Sequence, residues 1–331
     1  MRSFKLGIDL GENEAEPRRF VECAVLAEEL GFDTVWFGDH FMPWIHTGGK
    51  SAFVWSVIAA ALERTERISM GPDVTCVIDG RYHPALIAQA AATLDNMFPG
   101  RLLLGVGSGE AVNEAPFFLD RWGRWPRWYE RIKRTVEAVK LMRMLWVSQD
   151  YISFVGDFFK LENVFLYTKP KTKIPIYFSA LGPKAAVFAG MYGDHLITIG
   201  TPKRCKELIF PRFAEGVNRK NGDMSQAEKM VLVNVYIGEV GDGLRKLKSG
   251  MAGTLARGSF DIADPRKIES LAPTVDDDVV LRNFAIAPTV LDLEKVVESY
   301  FEAGANHIVL GTGASPELIK EIGRELVPIL R

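Results

Sequence analysis

The 331-residue chain has little of what marks a disulfide-stapled, zinc-binding or membrane protein. It contains three cysteines, Cys23, Cys76 and Cys205, without a CxxC spacing, which argues against a disulfide framework and a zinc knuckle. No apolar run approaches the roughly 18 residues that a membrane span needs. The first residues lead into an amphipathic pattern rather than the apolar core of a signal peptide. We therefore expect a cytoplasmic protein that does not act on a membrane.

The chain also has no large excess of positive or negative charge. Forty basic and forty-two acidic side chains give a net charge of −2, which argues against a protein that binds nucleic acid through its overall charge. Hydrophobic residues make up 47% of the chain, as in ordinary globular proteins. These values favour an enzyme with a small-molecule substrate.

Common catalytic motifs are absent as well. The five histidines (His40, His46, His83, His195 and His307) include no HxH or HExxH pair, so no metal site is expected. The chain has neither a GxSxG nucleophile elbow nor the GK[ST] of a P-loop.

What the chain does contain is an alternation of short apolar runs and amphipathic helical patterns. Strands are predicted at Lys5–Leu10, Thr34–Phe37, Ile68–Val77, Arg101–Val106, Ile174–Ala180, Leu196–Ile199, Val231–Ile237 and His307–Leu310. Helices are predicted at Pro17–Leu30, Ser51–Glu63, Pro84–Met97 and Trp128–Trp146. This alternation predicts an α/β fold, a (β/α)₈ TIM barrel that forms one domain over residues 1–331. Residues 241–287 are expected to be a helical insertion before the last strand.

The active site of such a barrel lies at the carboxyl ends of its strands. The segment DHFMPWIH (Asp39–His46) follows the second predicted strand and combines a carboxylate, an imidazole and an indole. Histidine is the side chain suited to proton exchange near neutral pH, so His40 is a candidate acid or base. Alternatively, His40 and Trp44 only close the barrel mouth.

Two further turns are candidates for ligand binding. In GVGSGEAVNE (Gly105–Glu114), alternating glycines would let the backbone approach a flat or anionic ligand. Glu110 beside them could be an acid or base, or simply a solvated or capping glutamate. The turn Ser179–Lys184 opens a helix whose N–H groups suit a phosphate, although an ordinary βα turn looks the same.

Asp39–His46, Gly105–Glu114 and Tyr82–Arg101 together resemble the bacterial-luciferase-like superfamily, and within it the branch that uses the deazaflavin coenzyme F420. The similarity continues through Tyr177–Gly190 and the C-terminal EAGANHIVLG. The DHxxPW motif is similar to that of F420-dependent secondary alcohol dehydrogenases and F420-dependent glucose-6-phosphate dehydrogenases. Methylenetetrahydromethanopterin reductases are more distant.

This resemblance implies a homodimer that transfers a hydride between the deazaflavin C5 and a substrate carbon, most simply by oxidising an alcohol or sugar C–OH. It implies that His40 and Trp44 hold the substrate hydroxyl, with His40 as its acid or base, and that Glu110 exchanges the proton at the ring. It also implies a non-prolyl cis peptide at Asp73–Val74. The implied cofactor-binding residues are Asp39, Asp73, Val74, Cys76, Gly107, Gly109, Asn113, Ala180, Leu181 and Gly182.

Departures from the pattern of these relatives leave the substrate open. The dehydrogenases place a glutamate where Asn13 stands, and the pterin reductase has an acidic residue where Asp9 stands. Arg282 matches an arginine that binds the sugar phosphate, but the phosphate-binding lysines have no clear counterpart. Three nearby basic residues could replace them, namely Lys203, Arg266 and Lys267.

A neutral alcohol is therefore slightly favoured over glucose 6-phosphate. The alternatives are an F420-dependent 5,10-methylenetetrahydromethanopterin reductase, an FMN-dependent luciferase-like monooxygenase, and a deazaflavin-binding protein without catalytic activity.

Overall fold

Short apolar strands alternate with amphipathic helices in the computed structural model, which describes residues 4–11 and 15–330 without the side chains of residues 120–122. The strands are β1 (Lys5–Asp9), β2 (Thr34–Phe37), β3 (Ser69–Pro72), β4 (Thr75–Cys76), β5 (Leu104–Gly107), β6 (Ile152–Val155), β7 (Lys160–Val164), β8 (Ile176–Ser179), β9 (His195–Ile199), β10 (Lys229–Ile237), β11 (Phe284–Ala287) and β12 (His307–Gly311).

The α-helices are α1 (Pro17–Glu29), α2 (Val54–Glu63), α3 (Pro84–Met97), α4 (Ala111–Trp122), α5 (Trp128–Val147), α6 (Pro183–Tyr192), α7 (Pro202–Arg204), α8 (Phe210–Arg219), α9 (Val240–Lys248), α10 (Pro265–Leu271), α11 (Asp277–Asn283), α12 (Leu293–Glu302), α13 (Pro316–Glu325) and α14 (Val327–Leu330). A π-helical turn, Cys205–Ile209, joins α7 to α8, and 3₁₀ turns occur at Met224–Gln226, Met251–Leu255, Ser259–Asp261 and Ala272–Thr274.

The main sheet is parallel and closes on itself. Its strand order is β3-β2-β1-β12-β10-β9-β8-β5-β4, and a parallel bridge between Met70 and Leu102 joins the two ends. The nine strands of this path fill eight positions, because β3 and β4 are successive parts of the third. The single strand predicted over Ile68–Val77 is thus divided, and the Asp73–Val74 peptide bond between its two parts is cis. The predicted (β/α)₈ barrel is confirmed.

The segment between β10 and β11 departs from a simple repeat. Residues 238–283, here called the insertion, hold α9, α10 and α11 around a small apolar core of their own. The predicted helical range 241–287 was wrong at its end, because residues 284–287 form strand β11. This strand pairs with the second half of β10, Asn234–Ile237, while the first half of β10 pairs with β12.

Two apolar layers hold the barrel together. The larger core lies between the sheet and the surrounding helices. A smaller one fills the interior of the barrel and consists of Trp36, Leu103, Tyr177, Ile197, Met230 and Val309. Strands buried on both faces require continuous apolar runs, which explains why Thr34–Phe37 is buried at every position.

Besides β11, helix α4 and strands β6 and β7 were not predicted from the sequence. Helix α4 follows β5 directly, and its N-cap is Glu110. The antiparallel pair β6–β7 forms a sheet separate from the barrel. Within the described ranges, no helix combines the length and apolar character needed to cross a membrane.

Candidate active site

The carboxyl ends of β2 and β5 bring His40 and Glu110 together. His40 belongs to the loop that follows β2, residues 39–49, here called the mouth loop, and Glu110 precedes the first turn of α4. Nε2 of His40 lies 3.6 Å from Oε1 of Glu110. Their side chains are 11% and 18% exposed, so neither is sealed inside the protein. The sequence predicted both residues as catalytic, and the structure places them side by side.

Asn113, in the first turn of α4, links this pair. Its side-chain oxygen accepts the backbone N–H groups of Phe41 and Met42, at 2.7 and 3.0 Å. The side-chain nitrogen must therefore face the pair, and it lies 2.7 Å from Nδ1 of His40 and 2.8 Å from Oε1 of Glu110. Asn113 is fully buried, and protein groups bind both the oxygen and the nitrogen of its side-chain amide.

The Asn113 contact decides the resting tautomer of His40. Because the amide nitrogen of Asn113 donates, Nδ1 of His40 accepts, and the neutral ring carries its proton on Nε2. Nδ1 is also 3.3 Å from the carbonyl oxygen of Met42. A proton placed on Nδ1 would have that oxygen as its acceptor and would leave Nε2 able to accept one.

Trp44 forms an aromatic wall beside the pair. The Trp44 and His40 ring centroids are 5.4 Å apart, with an interplanar angle of 56°. On its other side, Trp44 meets the edge of Phe260, a residue of the insertion, at 5.5 Å. The aromatic surface is therefore built from two distant parts of the chain, and the sequence analysis did not identify Phe260.

Asp39 lies beneath the site rather than in its opening. It is 2% exposed, and Oδ2 accepts the hydroxyl of Thr75 at 2.6 Å. Oδ1 accepts Arg81 at 3.0 Å and the hydroxyl of Tyr82 at 3.1 Å. Both carboxylate oxygens are thus bound by protein groups, which gives Asp39 a part in holding the mouth loop.

Arg81 ties Asp39 to Glu114, a second buried carboxylate. Nε of Arg81 donates to Glu114 at 2.8 Å, and its Nη2 donates to the carbonyl oxygen of Asp39 at 2.6 Å. Burial lowers the pKa of Arg81, but the charges of Glu114 and Asp39 raise it above its ordinary value. Burial raises the pKa of Glu114 in spite of Arg81. Neither Arg81 nor Glu114 was predicted as a site residue, although Glu114 ends one predicted motif and Arg81 directly precedes another.

Gly107 and Gly109, two of the predicted cofactor-binding residues, fit tightly against residues at and just before strand β4. A Cβ atom on Gly107 would lie 2.4 Å from a methyl group of Val74, and one on Gly109 would lie 2.4 Å from the sulfur of Cys76. Gly109 also has a φ of +70°, which side-chain-bearing residues rarely adopt. Burial raises the pKa of Cys76 well above its ordinary range. In the structure, therefore, both glycines serve internal packing.

The turn after β8 forms another part of the barrel mouth, whose edge is here called the rim. Ala180 is buried, Leu181 is 41% exposed, and Gly182 is the N-cap of α6. The space beside Gly182 is open, since no atom lies within 4 Å of where a Cβ would stand. Arg204 donates to the carbonyl oxygen of Leu181 at 2.9 Å and so joins this turn to the one after β9.

The predicted substrate-binding residues Arg282 and Asp9 belong to different elements. Arg282 lies on α11 and lines a cavity of about 310 Å³ with residues of β10, β11 and α12. Asp9 ends β1, and its carboxylate accepts the N–H of Gly11 at 2.7 Å. Arg266 is paired with Asp264 at 2.9 Å, while Lys203 and Lys267 are exposed. Asn13 lies outside the described residues.

A family model described as luciferase-like monooxygenase matches residues 2–307. The chain belongs to this family. A protein named F420-dependent glucose-6-phosphate dehydrogenase from Rhodococcus erythropolis is 35% identical over 337 aligned residues, covering 100% of this chain and 98% of the relative. A protein of the same name from Nocardia farcinica is 34% identical, over 100% of this chain and 99% of the relative.

Solved structures of this family share the fold. An F420-dependent secondary alcohol dehydrogenase in complex with an F420-acetone adduct is 38% identical, with a TM-score of 0.92 over the whole of both chains. The coenzyme F420-dependent tetrahydromethanopterin reductase from Methanopyrus kandleri is 18% identical, with a TM-score of 0.74 over 99% of this chain and all of that one. The second comparison concerns the fold alone.

Proposed function

We propose that this protein is a coenzyme F420-dependent oxidoreductase that oxidises the C–OH group of an alcohol or sugar. The contact of His40, Glu110 and Asn113 beside Trp44, at the mouth of the barrel, carries this proposal. It gives one place where a substrate hydroxyl can meet a proton-exchanging side chain and an aromatic wall. The names of relatives at 35% and 38% identity over the whole chain support the same reaction class.

The rim has groups that fit a flat ring with an anionic tail. Val74 and the turn Ala180–Gly182 would hold the ring. The open N-terminus of α6 and the neighbouring side chains of Lys184 and Arg204 would attract the anionic tail. When bound, coenzyme F420 would supply the carbon that accepts a hydride.

His40 would handle the proton of the substrate hydroxyl. Oxidation of an alcohol to a carbonyl compound removes one hydride from carbon and one proton from oxygen. At rest Nε2 of His40 carries a proton, so it can take the hydroxyl proton only after its own proton has moved to Nδ1, where it would point to the carbonyl oxygen of Met42 in place of the contact with Asn113. Glu110, 3.6 Å from Nε2, would in its protonated form supply the proton that the deazaflavin ring takes up together with the hydride. Trp44 would orient the carbinol carbon.

Within this reaction class, a neutral secondary alcohol is the better candidate substrate than glucose 6-phosphate. Arg282, the candidate phosphate ligand, also lines a second cavity of about 520 Å³ together with Asp276, Asp277 and Asp278. Lys248 also lines this cavity but is paired with Asp277, so three carboxylates outnumber two cations there and disfavour a phosphate dianion.

We also propose that this protein forms a homodimer and that it lies in the cytoplasm. Phe41, Phe53 and Leu86 are 60%, 58% and 58% exposed, and contact with a second copy would bury them. The three cysteines are free thiols, as is common in a reducing compartment.

The test begins with equilibrium binding of oxidised F420, FMN and NADP to the purified protein. Bleaching of bound F420 is then followed with a series of secondary alcohols and with glucose 6-phosphate. We expect F420 to bind in preference to FMN and a secondary alcohol to bleach it. Preference for FMN would overturn the cofactor assignment. Binding without bleaching, together with oxidation of reduced F420 by methylenetetrahydromethanopterin, would show a pterin reductase instead. Binding with neither reaction would show a non-catalytic protein.

A further inference from the structure

The insertion contacts the far end of the mouth loop. The first part of this loop is held by the buried oxygen of Asn113, which accepts the N–H groups of Phe41 and Met42. Its last part is held by the insertion, through hydrogen bonds to the backbone of His46 and Thr47. Trp44 stands between these two anchors, so its position depends on both.

Glu269 of helix α10 is the second anchor. Its Oε2 accepts the backbone N–H of His46 at 3.0 Å and that of Thr47 at 3.1 Å. Partial burial raises the pKa of Glu269, but the hydrogen bonds from Thr47 and His46 outweigh it and lower the pKa below its usual value. The carboxylate is therefore charged at neutral pH and ties α10 to the mouth loop.

Phe260 supports the Trp44 ring directly. It lies in the 3₁₀ turn Ser259–Asp261, and its ring stands edge-on to Trp44 with centroids 5.5 Å apart. The neighbouring Asp261 accepts the indole N–H of Trp125 at 3.1 Å and lies 3.5 Å from Arg131. These contacts fix the turn to α5 and to the segment before it, and so fix where the Phe260 ring can stand.

We propose that Phe260 and Glu269 are positioning residues that hold Trp44 in place for the alcohol substrate. This inference rests on the proposed function, because it assumes that Trp44 orients the carbinol. Glu269 contacts the mouth loop at His46 and Thr47, and Phe260 contacts it at Trp44, so both act on the part of the loop that carries the indole. Loss of either contact should therefore weaken alcohol binding more than the chemical step.

The first experiment compares Glu269→Ala with Glu269→Gln. The amide oxygen of glutamine can still accept the two N–H groups, whereas alanine cannot. We expect Glu269→Ala to raise the KM for the alcohol about tenfold, the effect of losing one hydrogen bond to a charged group. Glu269→Gln should stay within about threefold of the wild type. Both variants should keep the wild-type F420 Kd and Tm. An unchanged KM in Glu269→Ala, or an equal rise in both variants, would overturn the proposal.

The second experiment does not depend on turnover. The fluorescence of Trp44 is obtained as the difference between each protein and its Trp44→Phe counterpart, and its quenching by acrylamide is measured. We expect stronger quenching in Phe260→Ala and Glu269→Ala than in the wild type, with Phe260→Leu intermediate. Unchanged quenching in both alanine variants would overturn the proposal. If the wild type oxidises no alcohol, the proposed function fails, while this signal still decides whether the insertion positions Trp44.

Discussion

Among the described residues, a histidine–carboxylate pair lies at each end of the barrel, and the proposed function uses only the pair at the carboxyl end. At the carboxyl end of the strands, His40 and Glu110 are 3.6 Å apart and both are partly exposed. At the amino end, Nδ1 of His307 lies 2.9 Å from Glu228, and His307 is fully buried. The residue types are the same and the two carboxylates are almost equally exposed, at 18% and 19%, so the exposure of the histidine and the hydrogen-bond partners separate the two pairs.

The pair at the amino end, His307 and Glu228, is here called the closed pair, because other side chains of the protein bind its polar atoms. The pair of His40 and Glu110 is called the open pair. Nε2 of His307 meets the hydroxyl of Thr34 at 2.8 Å, and the carboxylate of Glu228 accepts Tyr177 at 2.7 Å and Lys5 at 2.6 Å. Burial lowers the pKa of His307. Burial raises the pKa of Glu228, but the hydrogen bond from His307 and the charge of Lys5 bring it well below its usual range. A neutral ring and a charged carboxylate therefore satisfy each other, and no atom is left for a substrate.

The largest effect should come from the open pair. His40→Ala removes the group that exchanges the hydroxyl proton and should lower kcat/KM for the alcohol about 10²- to 10⁴-fold. Glu110→Gln keeps an acceptor for Asn113 but cannot hold a proton, so a loss of similar size is expected. F420 binding and Tm should change little in either variant. Glu298→Gln, an exposed glutamate on α12, serves as the control. Wild-type turnover in both site variants would contradict the roles assigned to the pair.

The next effect should be on stability, from the closed pair. Glu228→Ala leaves the hydroxyl of Tyr177 and the N–H of His307 without their acceptor. It should cost about 3 kcal/mol of unfolding free energy, near the low end for breaking a buried pair, since the carboxylate keeps some exposure. Glu228→Gln retains an acceptor oxygen and should cost less. Chemical denaturation measures both, while kcat per folded molecule stays near the wild type. A Glu228→Ala protein with unchanged stability but reduced turnover would contradict the structural role assigned to the closed pair.

A smaller effect should appear in the pH dependence of stability. Because the pKa of His307 is lowered on folding, the unfolded chain binds more protons once the pH falls below about 6.5, the ordinary histidine value. Unfolding free energy should therefore decline from pH 7 to pH 5, and His195, whose pKa burial also lowers, should add to the decline. Glu228 contributes a further loss below about pH 4.5. In thermal melts, His307→Gln should flatten the slope between pH 7 and 5, and an unaltered slope would disprove this assignment.

The smallest effect should come from the hydroxyl that completes the closed pair. Thr34 accepts the indole N–H of Trp36 at 3.0 Å and meets His307 at 2.8 Å. Thr34→Val keeps the shape but removes both contacts, so it should cost about 1 to 3 kcal/mol, the range for leaving buried polar groups unsatisfied. Thr34→Ser keeps the hydroxyl and should cost less. Equal losses in the two variants would show that packing, not hydrogen bonding, matters at this position.

The barrel and part of its mouth could be predicted from the sequence because their signals are local. Apolar runs such as Arg101–Val106 mark strands buried on both faces, and the motifs after the second and fourth predicted strands place His40 and Glu110 at one end of the barrel. Strand β11 was missed because it pairs with only the second half of β10. Asn113 was predicted as a cofactor ligand, but its link to His40, 73 positions away, was not visible.

The sequence by itself therefore determined the fold class, the reaction family and the residue types at the barrel mouth. Only the tertiary structure decided that Asp39 is enclosed by Arg81 and Tyr82, that Phe260 of the insertion stands against Trp44, and that one histidine–carboxylate pair is open and the other closed. The physical reason is that strand and helix periodicity arises from neighbouring residues. The exposure and partners of a polar side chain depend instead on segments brought together only by folding.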